Sequence, residues 1–146
     1  MHFFIFPEKD TWLTEMSSSQ NYGGDEILEL SKNVTTAGET TALNGVSRVL
    51  TKFNFSGSNG LKEMIDKGLV PTVGTGSGQS RIYLRLYNIE AYGLSTEYTL
   101  AAYPISQDWE EGPGKYHQDP IVEQAANWDW ANFDTSTQWS GLGSGI

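Results

Sequence analysis

Hydrophobic and polar residues alternate along most of this chain in short runs, the period of strands whose two faces meet different surroundings. "DTWLTEM", residues 10–16, places Thr11, Leu13 and Glu15 on one face and Trp12, Thr14 and Met16 on the other. In "SRVLTKFNF", 47–55, Val49, Thr51, Phe53 and Phe55 oppose Arg48, Leu50, Lys52 and Asn54. "RIYLRLYNIEAY", 81–92, sends Ile82, Leu84 and Leu86 one way and Tyr83, Arg85 and Tyr87 the other. Further strands are expected in "HFFIF" (2–6), which stops at Pro7, in "EILEL" (26–30), in "EYTLAAYPI" (97–105) and, in the tail, in "ANWDWANF" (126–133). β-Branched and aromatic residues fill these runs, and Gly, Asn and Ser clusters separate them. The pattern predicts an all-β fold, an antiparallel β-sandwich.

One segment breaks the period. In "SGSNGLKEMIDKGLVP", 56–71, Leu61, Met64 and Ile65 share a helical face. Ser58 or Asn59 stands where an N-cap belongs, and Gly68 followed by Pro71 ends the run, so one short helix is expected around residues 59–67. Two turns do not hold alone in water, and this helix is expected to cover one end of the sandwich. The "TVGTGSGQS" that follows reads as a connection and not as a phosphate loop, because no strand-to-helix context surrounds it.

At 146 residues the chain is long enough to bury a core without staples. It has no cysteine, which removes disulfide and thiolate chemistry. Nine basic against eighteen acidic residues give a formal charge of −9. That balance argues against a nucleic-acid partner, whose phosphates call for a basic face. No run is long and apolar enough to predict membrane insertion. The opening "MHFFIFPEKDTW" lacks a basic n-region and a small-residue cleavage site, so it reads as a strand and not as a signal peptide. Residues 1–123 carry the strand pattern and are expected to form the β-sandwich module. From residue 124 the chain is rich in Trp, Gly and Ser, and this C-terminal segment is expected to dock on a partner or to continue into further chain.

The densest chemistry lies in "QDWEEGPGKYHQDP", 107–120, where carboxylates, a histidine and aromatics crowd a glycine-broken loop. An active site, a metal site, a sugar platform and a solvated loop all fit that composition. Glu110 and Glu111 are adjacent and in a strand would point to opposite faces, so they do not make a glycosidase pair. His117 lacks the companions that a transition metal needs. Asp108, Glu110 and Asp119 are the candidates for a structural calcium, although no EF-hand spacing is present. No serine has a local histidine and acid, and no catalytic residue is assigned. Five tryptophans and seven tyrosines are the stronger signal. Most are expected as core or rim residues of a sandwich, and Trp109, Tyr116, Trp128, Trp130 and Trp139 are the candidate contact residues, for a sugar ring or for a protein partner.

The order of these pieces resembles a known family. "FPEKDTWLTEMSSSQNYGGDEILEL", "SRVLTKFNF", "LRLYNIEA" and "YPISQDWEEGPGKYHQDP" together are similar to the DNRLRE-type module, a β-sandwich related to the family-96 carbohydrate-binding modules. The chain looks closest to the versions found in virion structural proteins of marine tailed phages. The residues that carry the resemblance are Asp10 and Thr11, the "NYG" turn from Asn21 to Gly23, Ser47 and Arg48, and Tyr103, Pro104, Ser106, Trp109, Gly112 and Gly114. It spans about residues 4 to 120 and fades afterwards, where Trp128 or Trp130 takes the place of the tryptophan in the family's next strand. The resemblance implies a jelly-roll-like sandwich without catalytic machinery or cofactor, located in the virion after assembly in the host cytoplasm. Its implied partners are other virion proteins or copies of itself, with a host-surface polysaccharide as the alternative ligand.

Overall fold

The computed structural model describes residues 2–33, 45–89 and 99–140. The end of the run 81–92, the start of the run 97–105 and the Gly/Ser-rich residues 141–146 lie outside the described residues. The chain forms two compact units, one of Met1–Phe53 with Ser106–Ile146 and the other of Asn54–Ile105. This division differs from the expected 1–123 and 124–146: Ala126 and Ala131, from the C-terminal segment, belong to the first unit's core.

Three antiparallel strands frame that first unit. β1 (Pro7–Thr14), β2 (Lys32–Asn33) and β3 (Gly45–Phe53) form a sheet in the order β1-β3-β2. The register sets Thr11 opposite Leu50, Trp12 opposite Val49 and Leu13 opposite Arg48. A short hairpin of β4 (Trp130–Asn132) and β5 (Thr137–Gln138) makes a second sheet. The described fold is therefore β in character with very little helix.

The expected alternation of β1 holds as geometry but not as burial: Thr11, Trp12, Leu13 and Thr14 are all buried. Both faces of the strand are covered. On the Leu13 face, Leu13, Leu50, Trp109, Ala126 and Ala131 form the core, with Trp128 and Trp139 packed against it. On the Trp12 face, Tyr22 stacks at 3.9 Å between ring centroids.

Two buried asparagines hold the loops that provide this cover. The Asn21 side chain donates to Glu111 O and Ala126 O, each at 2.7 Å, and accepts from Gly114 N at 2.8 Å and Gly23 N at 3.2 Å. Its backbone N donates to Val122 O at 2.7 Å. All four of its amide bonding positions are therefore filled by main chain. Asn127 is satisfied in the same way. It donates to Ser19 O and Glu123 O and accepts from the backbone N of Asp129 and Trp130. The approach at Asn21 is so close that a Cβ on Gly114 would stand 2.2 Å from Asn21 O, and one on Gly23 1.9 Å from Glu111 O.

Several expected strands do not form. Pro7 pairs with Phe53, the last residue of β3, so residues 2–6 run past the end of the sheet and Phe3, Phe4 and Phe6 stay exposed. Residues 26–30 are not a strand; they run beside β3, where Glu29 O accepts from Ser47 Oγ at 2.8 Å.

In the second unit α1 spans Leu61–Asp66, inside the expected 59–67, and Gly68 at φ 69° ends it as expected. The cap differs from expectation. Gly60 is the N-cap and offers no side-chain bond. Asn54 orders the approach instead, accepting from Gly57 N at 2.7 Å and donating to Ser58 O at 3.1 Å. Residues 81–89 and 99–105 are neither strand nor buried, although their alternation predicts strands. The described residues thus show a three-stranded sheet and a two-stranded hairpin.

Asn21→Ala is expected to destabilise the protein by about 3 kcal/mol, because it leaves the Gly23 and Gly114 N–H groups without their acceptor. A lowered urea midpoint at unchanged slope checks this. Trp109→Ala should cost roughly 3–5 kcal/mol through cavity formation, read from the same titration.

Candidate functional site

Residues 17–26 and 110–118 close on one another beside β1. Gly24 N donates to Gly114 O at 2.8 Å, and Gln20 Nε2 donates to Lys115 O at 3.0 Å. Lys115 pairs with Glu26 at 2.7 Å. Asp25 ties three elements together: its carboxylate accepts from Trp12 Nε1 at 2.9 Å and from Tyr116 N at 3.1 Å.

These bonds build a group of aromatic rings. Tyr22 stacks on Trp12 with 24° between planes, and Tyr116 lies 6.0 Å from Trp12 and 6.3 Å from Tyr22. His117 meets Tyr116 edge-on at 4.6 Å. Trp12 and Tyr22 are buried, whereas Tyr116 is 55 % exposed. Burial pushes the Tyr22 hydroxyl pKa up, and that group donates to Gln20 Oε1. The result is a fixed phenol ring at the surface, backed by two buried rings. Such a ring can stack on the apolar face of a sugar or on an apolar side chain.

The other end of the same loop is electrostatic. Lys9 reaches Glu110 at 3.0 Å and Trp109 O at 3.1 Å, and Lys52 reaches Asp108 at 2.9 Å and Glu8 at 3.8 Å. The hydrogen bond from Lys52 holds the Asp108 carboxyl below its usual range. Glu111 turns inward from Glu110 and accepts from Asp10 N at 2.8 Å. Asp10 itself is raised, first by burial and then by the neighbouring Glu111 charge.

Of the expected contact residues, only Tyr116 offers an exposed ring here. Trp109 is 4 % exposed and belongs to the core, so its expected contact role is corrected: no face is open to a ligand. Trp128, Trp130 and Trp139 are half-buried and gather around Asn127, away from any shared stack with Tyr116. Arg48 lies over the Trp128 ring at 4.8 Å, Trp130 meets Phe133 edge-on, and Trp139 Nε1 donates to Asn127 O at 3.0 Å. The calcium candidates are not brought together. Asp108 and Glu110 pair with different lysines, and among the described residues no group of three or more His, Cys, Asp or Glu is placed to hold a metal ion. Among the described residues, too, no helix is long and apolar enough to cross a membrane.

Sequence reasoning missed Asp25, Gln20 and the pairing of Tyr22 with Trp12. The available signal was the "NYGG" turn, whose glycines mark a close backbone approach. No family model, curated protein or solved structure matches this chain.

Because Asp10 binds its proton more tightly in the folded state than at the ordinary carboxylate pKa of about 3.9, its contribution to stability is full below that value. It is lost as pH rises through the raised folded value. Asp10→Asn is therefore expected to raise the melting temperature at pH 7 and to leave it unchanged at pH 3.

Proposed function

We propose that this chain is a non-enzymatic structural component of a phage particle, in the tail, a fibre or the capsid decoration, and that it works through contacts with other proteins. The observation that carries the reading is the apolar surface of residues 81–89 and 99–105. Ile82, Leu84, Leu86, Ile89, Leu100 and Tyr103 are all exposed, Tyr103 at 82 %. Apolar side chains exposed along a whole alternating run are the kind of surface that partners cover. The acidic loop supports the same reading, since the carboxylates of Asp108, Glu110 and Glu111 serve lysines and backbone and are not left facing a cleft. The phage setting follows the resemblance to DNRLRE-type modules. In its favour, two parts of that pattern, Asn21–Gly23 and Gly112–Gly114, meet through the Asn21 amide. In this reading the two sheets are the described part of a jelly-roll-like sandwich.

A second reading, a carbohydrate-binding module, is favoured by one observation: the exposed Tyr116 ring on its aromatic backing.

Mass spectrometry of purified particles is expected to find the chain at stoichiometric abundance; its presence only in cell lysate would count against assembly. In affinity gels with bacterial and algal polysaccharides, retardation that Tyr116→Ala abolishes at unchanged melting temperature would favour the second reading. No retardation by any polymer removes it.

A further inference from the structure

We infer that residues 81–87 form an intermolecular strand that pairs antiparallel with the same segment of a second copy, about a two-fold axis at Leu84. The inference deepens the assembly reading and rests on it for its role, by naming the partner and the contact.

The segment "RIYLRLY" has strand alternation and, among the described residues, no strand partner. Among the described residues, 81–89 and 99–105 show no backbone hydrogen bond. All nine residues from 81 to 89 are exposed, so Ile82, Leu84 and Leu86 on one face and Tyr83 and Tyr87 on the other meet solvent. An alternating apolar segment with free N–H and C=O groups is a template for strand addition.

The segment is complementary to itself over its whole length about Leu84. Antiparallel pairing keeps matching faces together only when the axis passes through a residue. With the axis at Leu84, Leu84 meets Leu84 and Ile82 meets Leu86 on the aliphatic face. On the other face Arg81 meets Tyr87 and Arg85 meets Tyr83, each pair occurring twice. Guanidinium on phenol is a contact this segment already makes within one chain, where Arg85 lies 5.3 Å from the Tyr87 ring. An axis at Arg85 would set two arginines opposite each other, which like charges disfavour.

Charge also selects this surface. Unit Asn54–Ile105 holds four acidic and four basic residues and is formally neutral. The remaining fourteen acids and five bases put the whole −9 on the other unit. Two copies therefore meet through the neutral unit with the least repulsion. A closed, isologous pair is the commonest arrangement for such a contact.

The test uses the full chain in light scattering coupled to size exclusion, and a single-cysteine cross-link made clean by the absence of native cysteine. The expected mass is twice 16.1 kDa. Leu84→Lys, which sets two ammonium groups together at the axis, should return the monomer mass with the far-ultraviolet spectrum unchanged. Leu84→Cys should form an intermolecular disulfide under mild oxidation, at least tenfold faster than Arg85→Cys. A monomer at all concentrations, or a dimer that survives Leu84→Lys, overturns the pairing. So does protection of the 82–86 amides from hydrogen exchange in a monomer, which would mean that this chain's own residues cover the segment. A monomer that is nevertheless found in purified particles overturns self-pairing and leaves the assembly reading standing. A dimer absent from particles does the reverse.

Discussion

The buried amide of Asn21 is the contact on which the first unit depends. It lies between the 17–26 turn, the 110–114 loop and the start of the C-terminal segment, and it bonds main chain from all three. An apolar residue would leave those backbone groups unpaired inside the protein, which costs more than the packing would return. The glycines around it are a consequence. Loops that meet backbone to backbone have no room for Cβ atoms at Gly23 or Gly114, and Gly112 sits at φ 77°, where a side chain is disfavoured. Asn127 repeats the device one layer further on, joining Ser19 to the β4 hairpin.

This clasp explains how a small sheet buries Trp12, Leu13 and Trp109. Three strands alone would leave one face bare. Here the 106–140 segment folds over the Leu13 face while the 17–31 segment folds over the Trp12 face. Three lysines stand where loops cross strands: Lys9 and Lys52 tether the acidic loop to β1 and β3, and Lys115 tethers it to Glu26. Those pairs are exposed and individually weak, so they orient the loop more than they stabilise it. Among the described residues of the unit Asn54–Ile105 there is no comparable buried amide, and Ile82, Leu84 and Leu86 are exposed.

Much of this was legible in the residues. The short helix, its end at Gly68, and the strands β1 and β3 follow from period, glycine and β-branched content alone. The strands expected at 2–6 and 26–30, and the described part, 81–89, of the one expected at 81–92, show the limit of that reasoning. Alternation tells which residues would share a face, but a strand exists only where a partner supplies the other half of its hydrogen bonds, and Pro7 opposite Phe53 already uses the end of β3. Of the two readings open to Trp109, core and contact, the contact one fails for a similar reason. Its neighbours Asp108 and Glu110 are exposed and charged, which makes a local reading place it at the surface, whereas Leu50 and Ala126 from distant parts of the chain enclose it.

By itself the sequence determined the β character of the protein, the one helical turn pair, the surplus of negative charge and the close approaches that only glycine permits, because each depends on local sterics and composition. The tertiary structure decided which aromatic is core and which is surface, which carboxylates are paired, and that Asn21 rather than any charged residue holds the loops. Those outcomes depend on groups about 90 to 105 residues apart being brought within hydrogen-bond distance, and local pattern carries no record of such meetings. The acidic loop is thereby a tether, and the ring it carries outward is Tyr116.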